Sequence, residues 1–125
     1  MLMAAAPAGA CMPPVIQFGL GSARLDADAR WAVDDTVREF RARRGTRVRL
    51  RATTDGVGAA DANLRLARRR GEAVKAALVR RGVPASAIDI FAEGEARARG
   101  GAVAEDRLVW LTVDQAPGRD ATTCF

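Results

Sequence analysis

The chain has no histidine. That removes the commonest general base at neutral pH and the commonest zinc ligand. Cysteine is nearly absent: Cys11 and Cys124 stand alone near opposite ends. Two thiols cannot complete a four-ligand zinc site. In an oxidising compartment they could close one disulfide; otherwise they are free thiols. Aromatic residues make up 5% of the chain, so its core must come from Val, Leu, Ile and Ala. No apolar run is long enough to span a bilayer. Lysine occurs once, as Lys75, so nearly all positive charge is arginine. The formal charge of +5 favours anionic partners: nucleic acid, acidic lipid or an anionic wall polymer. No nucleophile in a recognisable setting and no metal-ligand cluster accompany the carboxylates. The expectation is a binding protein rather than an enzyme, with no cofactor and no metal.

What is present suits a single domain. The 125 residues are about half hydrophobic, enough for one modest core. Residues 1–14, rich in Ala and Pro, read as a flexible tail or the remnant of a secretory signal. Ala8-Gly9-Ala10-Cys11 loosely resembles a lipoprotein cleavage box, which adds lipidation to the possible fates of Cys11. Residues 15–114 carry all the periodic segments. Residues 115–125 have no periodic pattern and read as a C-terminal tail, unless Cys124 pins them.

The periodic segments follow in order. Val15 to Leu20 predicts a strand with Ile16, Phe18 and Leu20 inward. Asp26 to Arg44 predicts a helix, with Asp26 as N-cap, Val33, Val37 and Phe40 as its buried stripe, and Gly45 as its stop. Trp31 falls on the polar side. Thr46 to Thr53 predicts a strand, where Val48, Leu50 and Ala52 alternate with Arg47, Arg49 and Arg51. A second helix runs to about Arg81, ended by Gly82 and Pro84. Ile88 to Ala92 and Asp106 to Asp114 complete the set. In the last strand Arg107, Val109, Leu111 and Val113 share one face, and Leu108, Trp110 and Thr112 the other. The fold class expected is α+β: a two-layer α/β sandwich, β-α-β-α-β-β, with a small mixed sheet covered on one face by two helices. The open face would then carry the three strand arginines and Trp110, a basic surface with room for Arg–Trp stacking.

The chain is organised around Thr54 to Leu78. A turn, Thr54-Asp55-Gly56-Val57-Gly58, leaves the strand at its C-terminal edge, where ligands tend to meet helix-covered sheets. On the helix that follows, Leu66, Ala67, Gly71, Val74, Ala77 and Leu78 share a face. Arg65, Arg68 and Arg69 point to water, but Arg70 lies inside the apolar stripe. A buried charge needs an anion or a route to solvent. Either Arg70 pairs with Asp55 as a structural ion pair, or the two form a charged pair at the mouth of a pocket. The second arrangement suits a ligand carrying both an ammonium and a carboxylate.

The pattern T-D-x-x-G-x-x-x-x-N-x-x-L-x-x-x-R, carried by Thr54, Asp55, Gly58, Asn63, Leu66 and Arg70, resembles the OmpA-like peptidoglycan-binding domain family. The resemblance covers about residues 15 to 114. It implies non-covalent binding of peptidoglycan through the diaminopimelate of the stem peptide, in the bacterial cell envelope on the periplasmic side. Asp55 would meet the ammonium and Arg70 the carboxylate. Thr54 and Asn63 belong to the same expected site, with Asn63 orienting the Asp55 turn or donating to ligand. Arg107 stands where relatives carry the first Arg of Asn-Arg-Arg-Val and could approach a bound carboxylate. Asp106 and Leu108 depart from that motif, and Gly21 stands where some relatives place a polar contact residue. Single substitutions at Asp55 or Arg70 are expected to remove binding and leave the fold intact. No nucleic-acid partner is expected on this reading, and membrane contact only through an anchor not evident in the chain. The alternatives are polyanion or nucleic-acid binding by the basic sheet face, or a degenerate scaffold used for protein contacts.

Overall fold

The structure is a computed structural model that describes residues 13–94 and 107–114. Both tails, Cys11, Cys124 and Asp106 lie outside these residues. The elements are β1 (Val15–Gln17), α1 (Ala27–Ala42), β2 (Arg47–Thr53), α2 (Ala60–Arg80), a 3-10 turn (Ala85–Ala87), β3 (Ile88–Gly94) and β4 (Leu108–Asp114). The four strands form one sheet in the order β1-β4-β2-β3. β2 and β3 run parallel, as a strand–helix–strand connection requires, and β4 is antiparallel to β1 and β2. Helix α1 lies over β1 and β4, and α2 over β2 and β3. This is the expected α+β two-layer sandwich. No helix among the described residues is long and apolar enough to cross a membrane.

The core is the predicted one. Val48, Leu50 and Ala52 of β2 meet Val109 and Leu111 of β4 beneath Val33, Val37, Ala67, Val74 and Leu78 of the helices. Trp31 stays outside, 67% exposed. Strand β1 is shorter than its alternation suggested. Ile16 and Phe18 are buried, but Leu20 is 60% exposed. The chain turns there, with Ser22 N–H donating to Gly19 O at 3.1 Å. β3 runs on to Gly94, two residues past its predicted end.

The helix ends show which glycines matter and why. At the end of α1, Gly45 N–H donates to Phe40 O and Arg44 N–H to Arg41 O, a Schellman closure. The left-handed residue is Arg44, with φ 50, and not Gly45. Gly45 is needed for space instead: a Cβ there would lie 2.7 Å from both Phe40 Cδ1 and Val113 Cγ1. Left-handed backbone costs a non-glycine residue roughly 1–2 kcal/mol, only partly offset by the greater chain entropy glycine loses. Arg44→Gly is therefore expected to stabilise the fold by about 0.5 kcal/mol or more, read as a raised urea midpoint at constant slope.

Gly71 is a matter of close approach. A Cβ on it would sit 2.6 Å from Ile90 Cγ2, so its hydrogen lets α2 pack directly onto β3. Gly71→Val is expected to destabilise by about 1–3 kcal/mol through overpacking, with helix content unchanged by circular dichroism. An unaltered urea midpoint would show that Ile90 gives way freely.

The open sheet face is not the basic surface that the strand sequence suggests. Arg47 pairs with Asp89 at 2.6 Å, Arg49 with Asp114 at 2.9 Å and Arg51 with Glu93 at 3.7 Å. Each carboxylate comes from a neighbouring strand, so the charges cancel across the sheet. The Arg47 guanidinium holds the Asp89 carboxyl below its ordinary range. The described cation–ring contact is also elsewhere: Arg70 lies over Phe18, 5.2 Å from the ring centre.

Candidate ligand-binding site

The site forms where β2 ends. Thr53 closes the strand, and Thr54 and Asp55 follow it into the turn before α2, buried at 1% and 4% exposure. Asp55 Oδ1 accepts the Val57 N–H at 3.3 Å, an Asx turn that aims the carboxylate. Gly58, at φ 90, carries the backbone into the helix. Asn63, in the first turn of α2, donates from Nδ2 to Asp55 O at 3.5 Å. Asn63 therefore holds turn to helix, the local role open to it from its spacing.

Arg70 is fully buried, at 0% exposure, one face of its guanidinium over Phe18. Its Nε donates to Ser22 O at 2.8 Å, Nη1 to Thr53 O at 3.2 Å and Nη2 to Gly19 O at 3.0 Å. The structural ion pair open from the spacing is not formed: Arg70 takes three backbone carbonyls and not the Asp55 carboxylate. It ties the β1–α1 loop to the end of β2. Burial pushes its pKa down to about 10, against the attraction of Asp55, so it remains a cation at neutral pH.

The partner of Asp55 is Arg107, just ahead of β4. Arg107 Nη1 donates to Asp55 Oδ2 at 2.9 Å, and Nε to Phe18 O at 3.0 Å. The Arg107 side chain is 16% exposed and that of Asp55 5%. Arg107 was expected near the site, but not as the group that occupies Asp55. Two arginines thus converge on one loop, taking the carbonyls of Phe18, Gly19 and Ser22 between them. Those carbonyls escaped the sequence reading, because every residue has one and only the fold says where it points.

Thr54 adds one further feature. Its Oγ1 is buried and has no hydrogen-bond partner. A buried hydroxyl without a partner loses the hydrogen bonds that water would supply. Leu108 opens β4 beside Thr53, whose hydroxyl lies 3.4 Å from Leu108 O. Among the described residues one carboxylate, two guanidiniums and an unpaired hydroxyl therefore gather at the C-terminal edge of a strand. Such a set can sort a small zwitterion by charge and shape.

A family model described as the OmpA family matches residues 17–106, which span both helices, Asp55 and Arg70 and end just before Arg107. The chain belongs to the OmpA family. Its solved structural relatives agree in fold. The crystal structure of the peptidoglycan-associated lipoprotein from Burkholderia pseudomallei superposes with TM-score 0.73 at 21% identity, covering 81% of this chain and 90% of that one. An OmpA-like domain from Francisella tularensis gives TM-score 0.70 at 17% identity, over 81% and 71% of the two chains. The C-terminal domain of Helicobacter pylori MotB gives 0.68 at 15% identity, over 82% and 85%. No curated protein matches the chain.

Proposed function

We propose that this OmpA-family domain binds peptidoglycan non-covalently, taking the diaminopimelate of the stem peptide into the recess at Asp55. The observation that carries this reading is the convergence of Asp55 with Arg70 and Arg107 in one buried place. The Burkholderia pseudomallei relative, a peptidoglycan-associated lipoprotein, supports it by kinship. The role is tethering in the bacterial cell envelope, on the periplasmic side, and involves no covalent step.

The geometry changes how the ligand would be held. Asp55 is already paired, so an incoming ammonium displaces the Arg107 guanidinium from Oδ2. The displaced guanidinium, the more exposed of the two, then meets the ligand carboxylate in bidentate fashion. Arg70 keeps the loop carbonyls in place and adds positive charge from behind. Thr54 Oγ1, buried beside Asp55, offers a free hydroxyl to the ligand, and Asn63 holds the Asp55 turn in place. The nucleic-acid alternative loses its support, because each strand arginine meets a carboxylate.

The test is a calorimetric titration of the folded domain with a stem peptide containing meso-diaminopimelate, beside the same peptide with lysine in its place. The lysine peptide keeps the ammonium and lacks the second carboxylate. Saturable binding that weakens about tenfold or more with lysine is expected, a loss of about 1.4 kcal/mol. Equal binding of both peptides would refute the carboxylate contact, and no binding of either would refute the site.

A further inference from the structure

We infer that the groove between α1 and α2 is a second interaction surface, built to receive an acidic amphipathic helix from a partner protein. It lies on the helical layer, apart from the recess at Asp55, and the inference does not rest on the peptidoglycan reading. The groove encloses about 520 Å³. Its floor is apolar: Leu25 and Val33 on one side, Ala73, Ala76 and Ala77 on the other. Its rim is basic, formed by Arg30 of α1 and by Arg80 and Arg81 at the end of α2.

Three observations choose the occupant. The first is where the positive charge lies. The sheet-face arginines are matched by carboxylates from β3 and β4. On the groove rim, Arg81 pairs with Asp34, but Arg30 and Arg80 have no carboxylate partner among the described residues. Two guanidiniums without a carboxylate partner among the described residues, flanking one cleft, attract an anionic partner and favour carboxylates that they can grip in bidentate fashion.

The second is the floor. Ala73, Ala76 and Ala77 with Arg80 follow the spacing of one face of α2, so small side chains line the groove along the helix. Small residues at a helix surface let another helix approach closely, its ridge resting in the groove between two others. Recognition of this kind uses apolar anchors three and four residues apart with charges beside them. The third is size. Two branched side chains and three alanines make a floor of small apolar groups that suits Ala- and Leu-sized anchors.

The test uses the whole chain and a fluorescein-labelled peptide of about 20 residues, a helical length of about 30 Å. Alanine and leucine line one face of the peptide and glutamate flanks it. Its control carries lysine in place of glutamate. Saturable anisotropy is expected with the acidic peptide and not with the basic one, weakening as salt rises. The double variant Arg30→Glu/Arg80→Glu should bind at least about tenfold more weakly. The double variant Arg65→Glu/Arg68→Glu makes the same charge change on the exposed N-terminal half of α2, and should bind nearly as the wild type. Equal weakening by both double variants would overturn the groove, showing attraction by net charge alone. So would no binding of the acidic peptide to folded protein. Vesicles of phosphatidylglycerol are the remaining arm. Binding to them that depends on Arg30 and Arg80, without binding of the peptide, would replace the partner helix with a lipid surface.

Discussion

Arg70→Ala is expected to remove much of the domain's stability, losing about 3–5 kcal/mol in urea denaturation through three broken hydrogen bonds to a charged donor. Three carbonyls, those of Gly19, Ser22 and Thr53, lose their donor at once. A buried carbonyl left unpaired costs about 1–3 kcal/mol; the Thr53 bond is buried, while those to Ser22 and Gly19 are part-buried, so entering water reduces the sum. The vacated space also removes the stacking on Phe18. A domain of this size commonly has about 5–15 kcal/mol in total. Arg70→Lys should lie in between, because a point charge on a flexible stem cannot serve three carbonyls set in a fork. A loss below about 1 kcal/mol for the alanine variant would mean that the loop closes on β2 without this guanidinium.

The same expectation changes how binding data at this position are read. The family resemblance suggested that Arg70 could be replaced with the fold intact, so that lost binding would report a lost contact. With Arg70 fully buried and engaged on three carbonyls, lost binding in Arg70→Ala reports a collapsed loop as readily as a lost contact. The informative substitutions are at Asp55 and Arg107.

Asp55→Asn should leave the turn in place and abolish the proposed binding. The amide oxygen can still accept the Val57 N–H, so the Asx geometry survives. Removing the charge leaves Arg107 without its anion and the ligand ammonium without its partner. Truncating one side of a buried charge pair costs about 2–5 kcal/mol, at least thirty-fold or so in affinity for the diaminopimelate peptide. Stability should fall less, because the Arg107 side chain is 16% exposed and can turn toward water. Arg107→Gln should act in the opposite sense on one probe. It vacates Asp55 Oδ2, so the lysine-containing peptide, which offers only an ammonium, should bind more tightly than to the wild type. The diaminopimelate peptide should not share that gain, because its second carboxylate loses Arg107. If both peptides weaken equally in Arg107→Gln, Arg107 is a structural partner of Asp55 and not a group that ligand displaces.

Much of the fold was legible in the sequence because burial is written in local periods. The alternation of Val48, Leu50 and Ala52 with arginines fixed which face of β2 is core. The 3.6-residue stripe of α2 placed Arg70 among Leu66, Ala67 and Val74, and all of these are buried. Leu20 misled because alternation continues one residue after the backbone has turned. Gly45 reads as the helix stop, but the left-handed residue is Arg44, and steric room at Phe40 and Val113 is what demands a glycine next to it.

The sequence by itself determined that Asp55, Asn63 and Arg70 stand at family spacing, that Arg70 lies within the apolar stripe of its helix, and that the chain makes two helices over a sheet. Only the tertiary structure decided who pairs with whom. Arg70 reaches carbonyls 48 and 51 residues away, Asp55 takes a guanidinium 52 residues away, and Arg47 meets a carboxylate 42 residues away. The physical reason is that hydrophobic periodicity reports whether a side chain leaves water. The partner that compensates a buried or crowded charge is set by the register of strands distant in sequence, and by backbone carbonyls that every residue carries alike.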